Sequence, residues 1–220
     1  MGLESSPNKT KSISLVFLIT AIVLVAFNLR PAITSVGPLV EMIQKDVGLV
    51  HWSAGLLTSL PLIAFAVISP VVPKISGKLT NDRTLLLGLI VLLLGIGVRA
   101  IAMKFFLFAG TFLIGGGIAI LNVLLPVIVK DKFPGKAALM TSVYSTSMGL
   151  FASLASGLSV PLAHDLNLGW QGALVVWGIP ALLAIFIWIY LVKKAQGNET
   201  GLRGGKSTGH QVWRSPLAWQ

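Results

Sequence analysis

One arginine stands inside an otherwise apolar stretch near the start of the chain. Arg30 follows 18 residues without charge and precedes ten more, so it lies deep within a hydrophobic segment. A guanidinium in hydrocarbon costs between about 3 and more than 10 kcal/mol, so it must face a polar cavity or a partner. Pro31 cannot donate a hydrogen bond to the Phe27 carbonyl, which weakens a helix at the same point. The pattern predicts a polar site within a membrane.

Two neighbours of Arg30 are candidates for the same site. Asn28 and Thr34 are polar, and Thr34 shares a helix face with Arg30. We therefore expect Arg30, Asn28 and Thr34 to contact a solute. The alternative is that Arg30 pairs with a carboxylate or reaches the membrane surface, and so only holds helices together. Glu41, the acid in the same segment, lies about 16 Å away along a helix, too far for direct pairing.

Later segments add two candidate solute contacts. Asn122 follows the triplet Gly115-Gly116-Gly117 and precedes Pro126. In transporters built from inverted three-helix repeats, interrupted first and fourth spans mark the binding site. Asn122 is therefore a candidate cavity residue; the alternative is close helix packing with one hydrogen-bonded Asn. Tyr144 lies in a hydroxyl-rich stretch that could face a solute, although such hydroxyls commonly bond to their own helix.

Small residues recur at every fourth position of a later segment. They are Gly149, Ser153, Gly157 and Pro161, here called the small-residue stripe. Such spacing lets another helix approach closely, so the stripe predicts helix packing.

The composition is that of a membrane protein. Of 220 residues, 55% are hydrophobic and 11% are charged, whereas a soluble domain carries about 25% charged residues. A chain of this length cannot bury so much apolar surface within itself. The chain contains no cysteine, and its histidines fall in loops. No metal site, cofactor or catalytic constellation is predicted, and we do not expect an enzyme.

Stretches without charge predict an all-α bundle of six transmembrane helices. The third helix is long enough only if Arg99 is included and its guanidinium reaches the membrane surface. The predicted helices occupy residues 13–40, 53–75, 84–103, 105–129, 137–162 and 170–192. They are flanked by a tail, 1–12, and by a polar linker, 193–220, whose end resembles the start of a second bundle.

The basic residues set the predicted orientation. Thirteen Lys and Arg fall on the side of both termini, and three fall on the other side. This asymmetry places both termini in the cytoplasm of a multi-pass protein of the cell membrane. It also explains the net charge of +10 without nucleic acid, because these residues face lipid headgroups.

Three segments resemble a known family. They are NLRPAITSVGPLVEMI in the first span, GGGIAILNVLLPVIVKDKFP in the fourth, and the pattern GW-x-x-ALVVWGIPALLA from Gly169. They resemble the cyanate/2-nitroimidazole transporter family of the major facilitator superfamily. The resemblance implies two six-helix bundles, each of two inverted three-helix repeats, with this chain as the N-terminal one. A solute would bind between them and move by alternating access.

The resemblance also singles out the loop after the second span. The superfamily's loop signature, G-x-x-x-D-R-x-G-[RK]-[RK], is matched here by Gly77, Asp82 and Arg83. The loop is one residue longer before the acid and lacks the final Gly and basic pair. A gating role for these three residues is what the resemblance implies.

The functional hypothesis is a secondary transporter of a small polar or anionic solute, such as cyanate or a nitroimidazole-like compound. Its partners would be the lipid bilayer, the solute and a second six-helix half, on the same polypeptide or supplied by a second copy. The alternative is a six-span membrane structural or assembly protein, or a homodimeric half-transporter.

Overall fold

The computed structural model describes residues 9–199, and the secondary structure described there is helical throughout. Most of the predicted tail 1–12 and most of the predicted linker 193–220 lie outside the described residues. In chain order the helices are α1 (Lys9–Phe27), α2 (Pro31–Thr34), α3 (Val36–Val47), α4 (His51–Ile68), α5 (Val72–Leu79), α6 (Asn81–Arg99), α7 (Lys104–Lys132), α8 (Ala137–His164), α9 (Gly169–Val176) and α10 (Gly178–Glu199). A 3₁₀ turn, Ser69–Val71, joins α4 to α5.

Six segments of the described chain are long and apolar enough to cross a membrane, with lengths from 19 to 29 residues. At a rise of about 1.5 Å per residue, the shortest is close to the thickness of a hydrocarbon core. The prediction of six transmembrane helices is confirmed. The spans are Leu15–Thr34, Gly55–Leu79, Asn81–Arg99, Lys104–Lys132, Ala137–His164 and Gly169–Lys193. Below, the two ends of the bundle are named after the two ends of α7, the Lys104 end and the Lys132 end.

Glycines bring α6 and α7 into backbone contact. A Cβ on Gly95 would lie 2.7 Å from the Ile114 nitrogen, and one on Gly117 would lie 2.7 Å from the Leu92 nitrogen. Gly115 approaches α4 in the same way, because its Cβ would lie 2.7 Å from the Pro61 Cα. Small residues permit such approaches between membrane helices. We call α4, α6 and α7 the glycine-packed block.

The remaining helices pack around this block in two apolar clusters. The larger joins α1, α6, α7 and α10 through residues such as Ile22, Leu89 and Trp188. The smaller lies at the Lys104 end and includes Ile43. Beside it the Trp170 indole donates a hydrogen bond to Asp46 Oδ2 at 2.7 Å, which joins α9 to α3.

The first span, predicted as one helix over 13–40 with a weak point at Pro31, is broken at that point. α1 ends at Phe27, and the backbone N–H groups of Asn28 and Leu29 bond to carbonyls three residues earlier, at 3.0 and 3.1 Å. Such shorter-range bonds tighten a helix end. Pro31, which lacks an N–H, then begins the four-residue α2. Arg30 therefore lies at a break between helices.

The third span also differs from its prediction. The predicted helix occupies 84–103, whereas α6 begins at Asn81 and ends at Arg99. After Arg99 the Ala100 N–H lies close to the carbonyls of the preceding turn. Arg99 does not reach the surface: only 1% of it is exposed. The expectation that its guanidinium reaches the membrane surface is wrong, because the side chain turns inward and finds a carbonyl partner within the bundle.

Candidate functional site

A cavity of about 280 Å³ opens at the break in the first span. Its walls come from the break and α2, from α4 and from α7. Three of its residues are polar, namely Arg30, Thr34 and Asn122. Six apolar residues complete the lining: Leu29, Ile33, Pro61, Leu62, Phe65 and Ile118. A mostly apolar cavity with a few polar groups is typical of sites for small molecules.

Arg30 faces this cavity with an uncompensated charge. Its side chain is exposed, and its guanidinium makes no hydrogen bond or ion pair within the described part of the chain. Its backbone carbonyl accepts bonds from the N–H groups of Ile33 and Thr34, at 2.9 and 3.0 Å. The backbone of Arg30 is thus held by α2, while all five N–H donors of the side chain remain available.

Thr34 and Asn122 each keep part of their hydrogen-bonding capacity for the cavity. The Thr34 hydroxyl lies 3.2 Å from both the Arg30 and Ala152 carbonyl oxygens, and its single hydrogen serves one of them at a time. The Asn122 amide donates to the Ile118 carbonyl at 3.1 Å, which leaves its oxygen and one N–H. A solute here would meet a forked cation, a hydroxyl oxygen and an amide.

The other two predicted contacts are not among the residues that line this cavity. Asn28 is 3% exposed and donates to the Leu24 carbonyl at 2.7 Å, one turn earlier in α1. Tyr144 is 8% exposed and belongs to the larger apolar cluster. The structure therefore brings together Arg30, Thr34 and Asn122 and leaves Asn28 and Tyr144 elsewhere.

Residues 13–220 match the family model of the Major Facilitator Superfamily. This chain belongs to that superfamily. The chain is 49% identical over 209 residues to an uncharacterized transporter, YycB, of Bacillus subtilis (strain 168). That match covers 95% of this chain and 51% of the relative.

Two further relatives carry a solute in their names. The chain is 41% identical over 206 residues to the 2-nitroimidazole transporter of Escherichia coli (strain K12), covering 93% of this chain and 52% of that protein. It is 26% identical over 205 residues to the cyanate transport protein CynX of the same organism, covering 92% and 52%. The predicted family resemblance is confirmed. The chain spans about half the length of the curated relatives it matches.

The loop residues of this superfamily member lie at the Lys132 end. Asp82 is 3.6 Å from Lys132 Nζ, and its backbone carbonyl accepts a hydrogen bond from the Trp188 indole at 2.9 Å. The first turn of α6 is thereby joined to α7 and α10. Gly77 and Arg83 are exposed, and a Cβ on Gly77 would meet nothing within 4 Å. A gating role for Gly77, Asp82 and Arg83 stays a prediction.

The small-residue stripe is exposed along α8. A Cβ added at Gly149 or Gly157 would meet nothing within 4 Å, and the Ser153 hydroxyl bonds to the Gly149 carbonyl at 3.2 Å. Pro161 is exposed as well. No described helix packs against the stripe, so the predicted helix packing requires a partner beyond residues 9–199.

Sequence reasoning missed the second span's contribution to the cavity. Pro61, Leu62 and Phe65 line it from α4, and Pro61 also packs against Gly115. The available signal was a proline inside the second apolar stretch, comparable to Pro31 in the first and Pro126 in the fourth. Unlike the first span, α4 and α7 continue through their prolines without a break.

A second cavity, of about 180 Å³, lies toward the Lys104 end between α3 and α8. Glu41, Lys45 and His164 contribute its charged or titratable side chains. Within the described residues, no group of three or more His, Cys, Asp or Glu is arranged to hold a metal ion.

Proposed function

We propose that this chain forms the N-terminal six-helix half of a secondary transporter, which moves a small polar or anionic solute across the cell membrane by alternating access. The observation that carries the proposal is the cavity at the broken first span. There, a guanidinium that makes no ion pair in the described chain shares a cavity with a hydroxyl and an amide. The names of two relatives, a 2-nitroimidazole transporter and a cyanate transport protein, support this class of solute.

The chemistry of the cavity suits both solutes. A guanidinium offers parallel N–H donors that match two oxygens of a planar group, such as a nitro group, and it also attracts a small anion such as cyanate. Asn122 can donate to or accept from a ring nitrogen. The apolar lining from Pro61, Leu62 and Phe65 suits the flat face of a heterocycle.

This half supplies one side of the site. The lining of the cavity comes from three parts of this half, namely the broken first span, α4 and α7. A second six-helix half, packed along the small-residue stripe of α8, would close it. In this proposal both termini are cytoplasmic, as the distribution of Lys and Arg indicates.

The exposed stripe is also compatible with a pair of copies of this chain, or with a six-span assembly protein. Reading the coding sequence beyond Gln220 separates these arrangements from the proposal. Six further spans would support a transporter made of two halves, and a stop codon would contradict it.

The transport proposal is tested with the full-length protein in proteoliposomes, by uptake of 2-nitroimidazole and of cyanate. Arg30→Ala should lower uptake of the transported solute by more than about 100-fold, since hydrogen bonds to a charged group are among the strongest a solute makes. Lys104→Ala removes an exposed cation from the same chain and should leave uptake unchanged. Normal uptake by Arg30→Ala would show that the cavity is not the solute site.

A further inference from the structure

Arg99 is a buried cation outside the cavity. It is the last residue of α6, and only 1% of it is exposed. Its backbone is fixed by α7, because a Cβ on Gly110 would lie 2.7 Å from the Arg99 Cα. Arg99 is therefore attached to the glycine-packed block, which also carries Asn122 and the α4 wall of the cavity.

The Arg99 side chain crosses from this block to the broken first span. Its Nη1 donates a hydrogen bond to the Ala32 carbonyl oxygen at 2.7 Å. Ala32 lies in α2 between Arg30 and Thr34, the two polar cavity residues of the first span. The remaining donors of Arg99, Nε and Nη2, are buried and have no hydrogen-bond partner in the described chain.

α2 depends on its neighbours for its position. A helix of four residues is not stable alone, so its place is set by the groups that hold it. The structure shows two side-chain hydrogen bonds between α2 and other helices: Arg99 joins it to α6, and Thr34 joins it to α8 through the Ala152 carbonyl. The Thr34 bond is shared with the Arg30 carbonyl, whereas the Arg99 bond is undivided.

Stability alone does not account for this arrangement. A buried cation with unsatisfied donors is costly, and apolar residues of similar volume often replace buried charges without loss of stability. What Arg99 provides is a fixed distance between α2 and the block.

We propose that Arg99 is a positioning residue for the solute cavity, which holds Arg30 and Thr34 in register with Asn122 and the α4 wall through the Ala32 carbonyl. This inference rests on the proposed function for its effect on transport. Its geometric part concerns α2 alone and is tested separately.

The geometric test uses cysteine labelling of the full-length protein in membranes. This chain has no cysteine, so single cysteines report cleanly once any beyond this chain are replaced by serine. Ile33→Cys reports on α2 and Leu62→Cys on α4, both in the cavity lining. Arg99→Met should change the methanethiosulfonate labelling rate of Ile33→Cys at least about fivefold and leave that of Leu62→Cys unchanged, because α2 is no longer held to α6.

Arg99→Lys should restore the labelling rate of Ile33→Cys, since an ammonium can still donate to one carbonyl. In uptake of 2-nitroimidazole, Arg99→Met should raise KM about tenfold with Vmax per inserted protein nearly unchanged, as expected when binding geometry alone is lost. Lys104→Met, an exposed cation five residues further along the chain, is the control and should behave as the wild type.

Several outcomes would overturn the positioning role. In the labelling experiment, Arg99→Met could leave the rate of Ile33→Cys unchanged, or could change the rates of Ile33→Cys and Leu62→Cys equally. In the uptake experiment, the fall in uptake could simply match a fall in the amount of inserted protein. Finally, both Arg99→Met and Arg99→Gln could fail to insert into the membrane. If the labelling result holds but neither Arg99→Met nor Arg30→Ala affects uptake, then the positioning of α2 stands and the proposed solute site fails.

Discussion

Gly95 of α6 lies against the backbone of Ile114 in α7, so that a Cβ on Gly95 would be 2.7 Å from the Ile114 nitrogen. Two residues further along α6, Gly97 is exposed, and a Cβ there would meet nothing within 4 Å. One helix therefore contains a glycine that packs against a neighbouring backbone and another that is exposed. At Gly95 the missing side chain is what allows the two helices to touch.

This pair gives a matched stability test. Gly95→Ala should destabilise the protein by about 1 to 3 kcal/mol, because the neighbour that must yield is backbone. Gly97→Ala should change stability by less than about 0.5 kcal/mol, as for exposed positions generally. The apparent Tm in detergent, followed by size-exclusion chromatography after heating, measures both. Equal Tm values for the two variants would contradict the backbone contact.

Arg30→Lys separates a forked contact from a simple positive charge. Lysine keeps the charge but loses the parallel donors, so the full-length protein should bind 2-nitroimidazole about tenfold or more weakly. Uptake kinetics over a range of solute concentrations would show this as a raised KM. A wild-type KM would mean that charge alone suffices at this position.

Asn122→Asp places a carboxylate in the cavity that holds Arg30. The new carboxylate should pair with the guanidinium and compete with an anionic solute, lowering cyanate uptake at least about tenfold. Asn122→Ser is the control, since it keeps a polar group without a charge. If Asp and Ser variants transport cyanate equally well, Arg30 and Asn122 do not share one solute.

The two contacts of Asp82, with Trp188 and with Lys132, should contribute unequally to the stability of the protein. The Trp188 side chain is buried, and its indole N–H donates to the Asp82 carbonyl. Trp188→Phe removes this hydrogen bond and should lower the free energy of unfolding by about 1 kcal/mol or more. Lys132→Met removes an ion pair whose partners are 36% and 31% exposed, and should cost less than about 0.5 kcal/mol. Apparent Tm values in detergent test the order, and a larger loss for Lys132→Met would reverse this interpretation.

Gly157→Leu tests the small-residue stripe. In this chain a Cβ at Gly157 meets nothing, so the substitution should leave the six-helix bundle intact. It should lower the apparent Tm and the uptake of the full-length protein if a second half packs there. Gly97→Leu adds the same side chain to an exposed glycine of α6, where a Cβ also meets nothing within 4 Å, and serves as the control away from the stripe. Identical behaviour of the two variants would exclude the stripe as a contact between halves.

The sequence was sufficient for the features that charge and length determine. Charge-free stretches predicted six spans, and the pair Arg30-Pro31 predicted the interruption of the first. Three of the five predicted contacts line one cavity because Arg30 and Thr34 share a helix turn and α7 packs beside them. The shared position of Arg30 and Thr34 follows from local spacing, whereas that of Asn122 depends on the packing of α7.

The features that the sequence did not reveal depend on residues far apart in the chain. Arg99 was expected at the surface because it ends a short span, but its carbonyl partner at Ala32 lies 67 residues earlier. Asn28 is buried, and its amide donates to the Leu24 carbonyl instead of lining the cavity. A proline in the second apolar stretch was a local signal, but the place of α4 beside the cavity follows from the contact between Gly115 and Pro61.

The glycine contacts also divide the bundle by stiffness. Where backbone touches backbone, no side chain can change rotamer to accommodate sliding, so we expect α4, α6 and α7 to shift together. α1 and α8 meet through side chains such as Phe27 and Phe151, whose rings lie 3.8 Å apart and can reorient. We therefore expect a change in the shape of this half to fall mainly on α1 and α8, while α2 stays with the block through the bond from Arg99 to the Ala32 carbonyl.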